Sequence, residues 1–392
     1  MSPIIWPFLF SLVMFSGFAF FAPYLVPFYQ GLGFDGAQIG ILSGLSPLIN
    51  MAGAPYWTGL ADATRKHRAI LAGCMTAGAA AMLVFPLLRA FLPILVLTII
   101  FAVFFSPIAA FSDSATMHML GERKDLYGRV RVGGTIGFGA ASPVAGYVAG
   151  NFGLQAAFWT GAALFLIGSL ISLRLSYSQR EPQAGQQGFN YGVFLRNPKW
   201  LVFLLIAFIG GLTLPTSISY FFPYMAALGM EEDAMGFALT IGTLAEAPIL
   251  FFGNRLIKRF KPYPLLLFAM MMTAARLIWF GLIANPLMVF VIQLTNGLAF
   301  PAMWLAGVSY AEEHAPAGLK STAQGLFAAM VFGFGNAVGG LLGGPILVNY
   351  GGRSLNLWAG IFALSTIGLI AAFTRFGRGS SAPAAPRPGD AS

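Results

Sequence analysis

Charge is what this 392-residue sequence has least of: Asp, Glu, Lys and Arg together make up 9% of it, against roughly 25% in soluble domains. No charged residue precedes Asp35, and further charge-free runs extend from Val132 to Leu173, from Leu277 to Ala311 and from Ser321 to Gly352. Each run exceeds the ~20 apolar residues that cross a hydrocarbon core. The scarcity excludes a soluble enzyme, a nucleic-acid binder and a disordered scaffold. Cysteine is nearly absent too, and the single Cys74 excludes an intrachain disulfide framework. His67, His118 and His314 are the only histidines. They lack metal-ligand spacing and are expected at surface loops, so neither a metal nor another cofactor is expected. A basic stretch is missing at the N-terminus, which makes the first apolar run a retained helix rather than a signal peptide.

What is present is hydrophobicity, 57% of the residues, punctuated by Pro, Gly and small charged groups. The punctuation predicts twelve spans near 4–30, 37–60, 69–88, 93–117, 128–150, 154–175, 198–225, 234–256, 263–284, 286–311, 321–347 and 354–375. The predicted fold class is an all-α membrane protein. Connections are short except 176–197, a polar stretch expected to be a cytoplasmic linker between six-helix bundles at 1–175 and 198–376. Residues 377–392 are mostly Pro, Ala, Gly and Ser and are expected to be a disordered cytoplasmic tail.

The net charge of +9 is explained by topology. Nineteen of the 22 basic residues fall in loops on one side of the spans; Arg89 and Arg353 fall on the other, and Arg276 falls within a span. The positive-inside rule then places both termini in the cytoplasm, with the chain in an inner membrane. Lipid is an expected partner, and nucleic acid is not.

Two short matches relate the halves. Gly137-Phe138-Gly139 recurs as Gly333-Phe334-Gly335, and Gly59 with Arg65 and Lys66 recurs as Gly253 with Lys258 and Arg259. Internal duplication of this kind is the mark of transporters built from repeats.

Gly59-Leu60-Ala61-Asp62-Ala63-Thr64-Arg65-Lys66 resembles the loop signature of the major facilitator superfamily. The resemblance implies two six-helix bundles of the major facilitator fold, and a gating latch formed by Asp62, Arg65 and Lys66. The second-half copy has Leu256 in place of the Asp. A narrower resemblance covers nearly the whole chain. Gly31-Leu32-Gly33, Gln38-Ile39-Gly40, Phe105-Ser106-Pro107 with Asp113, Tyr127-Gly128-Arg129-Val130-Arg131, Ala245-Glu246, Arg276 and Ala323-Gln324-Gly325 are similar to the branch holding phenylpropionate permeases, lactose permease and nucleoside/proton symporters.

Ionisable groups at bilayer depth are costly and are usually functional or paired. Asp113, Glu246 and Arg276 are the embedded ones, and Arg131 lies near a membrane face. A hairpin centred near residue 122 puts Asp113 and Arg131 at equal depth, and one centred near 260 puts Glu246 within about 3 Å of the depth of Arg276 at 1.5 Å per residue. Each acid and Arg is therefore either a cargo contact or a static pair. The resemblance to lactose permease implies that Asp113 and Arg131 touch cargo. That protein's tenth helix carries a His and a proton-carrying Glu ahead of a Pro, and aligning on Pro301 puts Asn296 and Ala299 at those positions. Glu246 is therefore the leading proton carrier and Asp113 the second. Phe138 stands where that permease has a sugar-stacking Trp, which weakens the case for a sugar and suits a flat aromatic cargo.

Weaker candidates for the pathway are Gln293, Asn296, Phe300 and Trp304, predicted to share one face of the tenth helix, and Tyr24 with Phe28 on the first. Ordinary packing is the alternative for each. The expected function is proton-coupled import of a small organic solute by a monomeric secondary transporter, a phenylpropionate-like aromatic acid ahead of nucleosides or sugars. Export of amphipathic compounds and a non-transporting membrane sensor remain alternatives. An enzyme is not expected, because no nucleophile and base gather in the sequence.

Overall fold

The computed structural model describes residues 4–123, 126–177, 192–316 and 318–379, and among these there is no strand. Helix α1 (Ile5–Ala19) passes through a tight turn (Ala22–Tyr24) into α2 (Leu25–Gly31). Helices α3 (Gly36–Thr64), α4 (His67–Val84), α5 (Phe91–Phe105), α6 (Ile108–Leu120) and α7 (Tyr127–Ser172) follow. After the short α8 (Gly192–Leu195) come α9 (Pro198–Ser217), α10 (Phe221–Ala227), α11 (Glu232–Phe260), α12 (Pro262–Leu282), α13 (Leu287–Gln293) and α14 (Asn296–Glu313). The last three elements are α15 (Lys320–Ala328), a π-helical turn (Ala329–Gly335) and α16 (Asn336–Gly379).

An apolar solvent leaves the backbone no partner but itself, which is why such a sequence folds as helices. Local chemistry sets several starts. Asp35 caps α3 by accepting from the Gln38 N–H at 2.8 Å, while the Gln38 side chain accepts from the Asp35 N–H at 3.0 Å. Pro198 opens α9 behind Asn197, whose side chain accepts from the Lys199 N–H.

The first, fourth, seventh and tenth expected spans are each broken near the middle, at α1/α2, α5/α6, α9/α10 and α13/α14. Proline accompanies three of the breaks. Pro23 sits in the tight turn, Pro107 follows α5, and Pro215 lies in the last turn of α9, where its carbonyl accepts from the Tyr220 N–H at 2.8 Å. Each Pro lacks the amide hydrogen that a continuous ladder needs.

Among the described residues, nine helical stretches are long and apolar enough to cross a membrane. The difference from twelve expected spans has a physical origin. Helix α3, rich in Gly, Pro and Ser, is not among the nine. Helices α7 and α16 each contain a residue with left-handed backbone, Gly153 at φ 82° and Gly351 at φ 81°. Only glycine adopts such angles without strain.

Packing shows that the chain reverses at both. Along α7, Gly133 and Gly137 meet the carbonyls of Phe8 and Leu12, ascending together with α1, whereas Gly161 meets Gly17 and Gly168 meets Val13, descending. Along α16, Gly339 meets Leu212 while Gly352 and Gly360 meet Tyr224 and Ala274. The pairs Phe8/Gly133 and Leu12/Gly137 reappear as Phe208/Gly335 and Leu212/Gly339. The structural repeat therefore aligns Gly137 with Gly339. The Gly-Phe-Gly match predicted Gly333 instead, and Gly333 faces Met51.

The apolar core divides in two. One part gathers buried residues from Phe10 to Leu175 with others near 220–239, 280–292 and 347–355; the second gathers residues from Phe194 to Leu214 and from Leu265 to Ile370. Two seams join the halves. In the first, Gly36, Gly40 and Gly44 of α3 lie against Pro345, Leu341 and Ala337 of α16. In the second, Gly146 and Ser142 of α7 lie against Glu232 and Gly236 of α11, and Thr240 donates to the Gly139 carbonyl at 2.7 Å. Both seams occupy the end with few basic residues, hereafter the far end, where Tyr24 also packs edge-on against Phe222.

Toward the basic end the seams stop at Met51/Gly333 and Gly139/Thr243. Beyond them Gly59 of α3 and Gly325 of α15 have no neighbouring atom within 4 Å of a Cβ position. The molecule is closed at the far end and open at the basic end. Part of the expected linker forms α8, and residues 178–191 lie outside the described residues. Helix α16 extends to Gly379, past the expected start of the tail at 377, and the remaining tail residues 380–392, like Lys124, Arg180 and Arg387, lie outside the described residues.

Candidate substrate site

The carboxylate of Asp113 is held from two sides. Its Oδ1 accepts from the Tyr127 hydroxyl at 2.9 Å and from Arg131 Nη1 at 3.1 Å. The hairpin between α6 and α7 produces this arrangement, and Tyr127 and Arg131 are one helical turn apart, so both reach the same acid. Asp113 and Arg131 are about half exposed, at 45% and 56%. A cleft lined by Ser11, Met14, Phe15, Ser112 and Thr116 adjoins them. The pair is the one the spacing predicts; Tyr127, which the sequence offers only within the Tyr127–Arg131 segment of the narrower resemblance, is a third member of the cluster not expected from the sequence. Its signal was the four-residue step to Arg131.

In the second half the four expected polar residues form two amide-linked pairs. Asn296 Nδ2 donates to Glu246 Oε1 at 2.8 Å and to the Gly242 carbonyl at 3.2 Å. Arg276 donates to the side-chain oxygen of Gln293 and, at 3.1 Å, to Ser217 Oγ; its guanidinium also lies 5.0 Å from the centre of the Phe280 ring. Gln293 completes its bonding by donating to the Ala238 carbonyl at 3.0 Å. Arg276, tied through Gln293 to the level of Ala238, lies one to two turns of α11 from Glu246, and among the described residues no ion pair joins them. Arg276 is 4% exposed and Gln293 3%, whereas Glu246 and Asn296 are half-buried.

The expected single face of the tenth helix is divided by the break at Leu294 and Thr295. Gln293 and Asn296 face α11, as their bonds to Ala238 and Gly242 show, while Phe300 and Trp304 pack with Phe332. Trp304 also meets Phe327 at 5.2 Å. Tyr24 is fully buried in the far-end closure against Phe222, and Phe28 packs on Phe158. Phe138 is half-buried beside Gly139, one step from the crossing of α7 and α11.

The loop residues differ from expectation in one respect. Asp62 bonds His67 Nε2 at 2.9 Å, and His67 is 16% exposed, stacked on Tyr177 at 5.0 Å. His67 is therefore a packed partner of Asp62 and not a free surface histidine. Arg65 turns the chain with left-handed backbone at φ 56°, and Arg65 and Lys66 are exposed.

A helical membrane chain in two halves, closed at one end around buried polar groups and open at the other, has the architecture of a secondary transporter. Residues 6–356 match the model of the MFS_1 like family, and the chain belongs to that family. It is 29% identical over 350 residues to the maltose permease of Geobacillus stearothermophilus, covering 88% of this chain and 87% of that one. The putative nucleoside transporter YegT of Escherichia coli is 22% identical over 358 residues, with 86% and 83% covered. The crystal structure of the nucleoside transporter NupG (D323A mutant) superposes with a TM-score of 0.86 at 18% identity, covering 94% of this chain and 99% of that one. The fold is that of the major facilitator superfamily, and the chain is an integral membrane transporter whose relatives are permeases, not enzymes.

Proposed function

We propose that this transporter imports a small, uncharged, hydroxyl-rich solute, nucleoside- or sugar-like, together with protons. The observation that carries the reading is the bonding of Asp113. Both of its bonds fall on Oδ1, so among the described residues Oδ2 is left to accept from a cargo hydroxyl. A cargo carboxylate would be repelled by Asp113 and would need a guanidinium. Arg131 is already neutralised by Asp113, and Arg276 is enclosed. The chemistry thus favours a polyol over the phenylpropionate-like acid expected from the sequence, and the relatives named for maltose and nucleosides support the same order. Glu246, half-buried in α11 and held by an amide rather than a cation, is the proton carrier, and Phe138 offers a flat surface to a base or sugar ring.

The bundles at 1–175 and 198–376 rock against each other, with the termini in the cytoplasm and the chain acting as a monomer in the inner membrane. The first seam supports the motion. Steps along α3 from Gly36 to Gly44 and Met51 are matched by steps back along α16 and the π-helical turn from Pro345 to Ala337 and Gly333. Two further turns bring Gly59 opposite Gly325, and a third brings Asp62 opposite Thr322, two residues from Lys320. Both glycines have open space around them in this state. Closing the basic end fills that space and transfers Asp62 from His67 to the start of α15.

A thermal-shift titration of the purified protein with uridine, maltose and 3-phenylpropionate tests the cargo class. Stabilisation by uridine or maltose supports it; stabilisation by 3-phenylpropionate alone restores the aromatic-acid reading.

A further inference from the structure

Arg276 is a buried cation that no carboxylate touches among the described residues. Such a group persists only if its hydrogen bonds and surroundings replace water. Its partners come from several spans. Ser217 is the last residue of α9, whose carbonyl-rich end favours a positive charge, and Gln293 is the last residue of α13. Both lie where their spans break. The Phe280 ring covers one face of the guanidinium, and the Phe280 carbonyl accepts from Tyr224 of α10 at 2.7 Å. Gln293 carries the connection on to α11 through the Ala238 carbonyl. The Arg276 side chain thereby ties α12 to α9 and α13 and, through Gln293, to α11, on the far-end side of Glu246, while the Phe280 backbone ties α12 to α10.

We propose that Arg276 is a pin that holds the broken seventh and tenth spans in the conformation closed at the far end, a positioning residue for transport rather than a cargo ligand. The planar fork of a guanidinium reaches Ser217 and Gln293 together; the single ammonium of lysine cannot reproduce that geometry. Releasing the pin leaves the two breaks free to flex, and the far-end seams, which join α11 to α7 and α16 to α3, lose their brace. The inference rests on the alternating-access reading; its labelling test is independent of the cargo, and only its binding and uptake test uses the proposed one.

Ser43, whose backbone lies against Gly340 in the first seam, reports on that closure. The experiment measures the rate at which a bulky polar maleimide labels Ser43→Cys in a Cys74→Ser background, in detergent and without cargo. Arg276→Lys is expected to raise the rate about fivefold by shifting the population toward far-end opening, Ser217→Ala to raise it less, and Gln293→Glu, which gives Arg276 a carboxylate, to lower it. Binding of uridine and maltose is measured on the same variants. The pin predicts cargo affinity within about twofold of the parent while uptake falls about tenfold, a change in turnover rather than in binding. Unchanged labelling in Arg276→Lys and Ser217→Ala overturns the proposal. So does a loss of cargo affinity as large as the loss of uptake, which makes Arg276 a cargo ligand. If Arg276→Lys does not fold, Ser217→Ala and Gln293→Glu decide by moving the labelling rate in opposite directions or failing to.

Discussion

At the residue scale, Asp113 is the carboxylate proposed to meet cargo, and two neighbours hold one of its oxygens. Tyr127 and Arg131 fix Oδ1, and the half-exposed position of the pair means that the ion pair itself adds little stability, in the range of ~0–1 kcal/mol for such pairs. Its value is orientation. Tyr127→Phe removes one intramolecular hydrogen bond of ~0.5–1.5 kcal/mol and is expected to weaken binding of uridine or maltose by about threefold to tenfold by freeing the carboxylate to rotate, with a small fall in melting temperature. Equilibrium binding on the purified variant checks this. The Asp113–Arg131 pair was legible because two residues equally far from a hairpin must meet. The partner of Arg276 was not. Depth alone matched it with Glu246, but Gln293 and Asn296 reach from the tenth span into the space between them and each takes one. An amide competing for a charged group leaves no mark in charge spacing. His67 was misjudged for a similar reason: its stacking partner Tyr177 comes from beyond the sixth span, far away in sequence.

At the scale of elements, the spans are set by glycine contacts that carry a repeat more faithfully than the Gly-Phe-Gly match does. A Cβ on Gly137 would press on the Leu12 carbonyl, and one on Gly339 on the Leu212 carbonyl. Backbone cannot yield as a side-chain tip does. Gly137→Ala and Gly339→Ala are therefore each expected to destabilise the protein by about 1–3 kcal/mol, the usual cost of overpacking. Gly128→Ala, in open space in the exposed first turn of α7, should have little effect on folding. Thermal unfolding of the three variants in one detergent makes the comparison. Span positions were readable from apolar runs, since length and hydrophobicity are local properties. The breaks at 218–220 and 294–295 and the true register of the repeat were not, because they depend on which backbone atoms approach one another.

At the scale of the whole molecule, the far end is closed by two glycine-lined seams and the basic end is open. The composition announced a membrane bundle, and the loop signature placed it in its superfamily, but neither says which end is shut. The account predicts the opposite closure as well. Cysteines at Gly59 and Gly325 in a Cys74→Ser background should cross-link poorly in the conformation described and strongly when the basic end closes. Asp62→Asn should lower the strong yield by about threefold, consistent with the loss of an exposed charge contact of under ~1 kcal/mol. A yield independent of conformation would show that the first seam does not extend along the register proposed.

The central claim, proton-coupled import of a hydroxylated solute through Asp113 and Glu246, is tested most directly by uptake of uridine and maltose into proteoliposomes under an imposed pH gradient. The account predicts gradient-dependent accumulation of at least one of them. Glu246→Gln should retain exchange of cargo across the membrane but lose accumulation against the gradient. Accumulation that ignores the gradient, or that survives intact in Glu246→Gln, would contradict it.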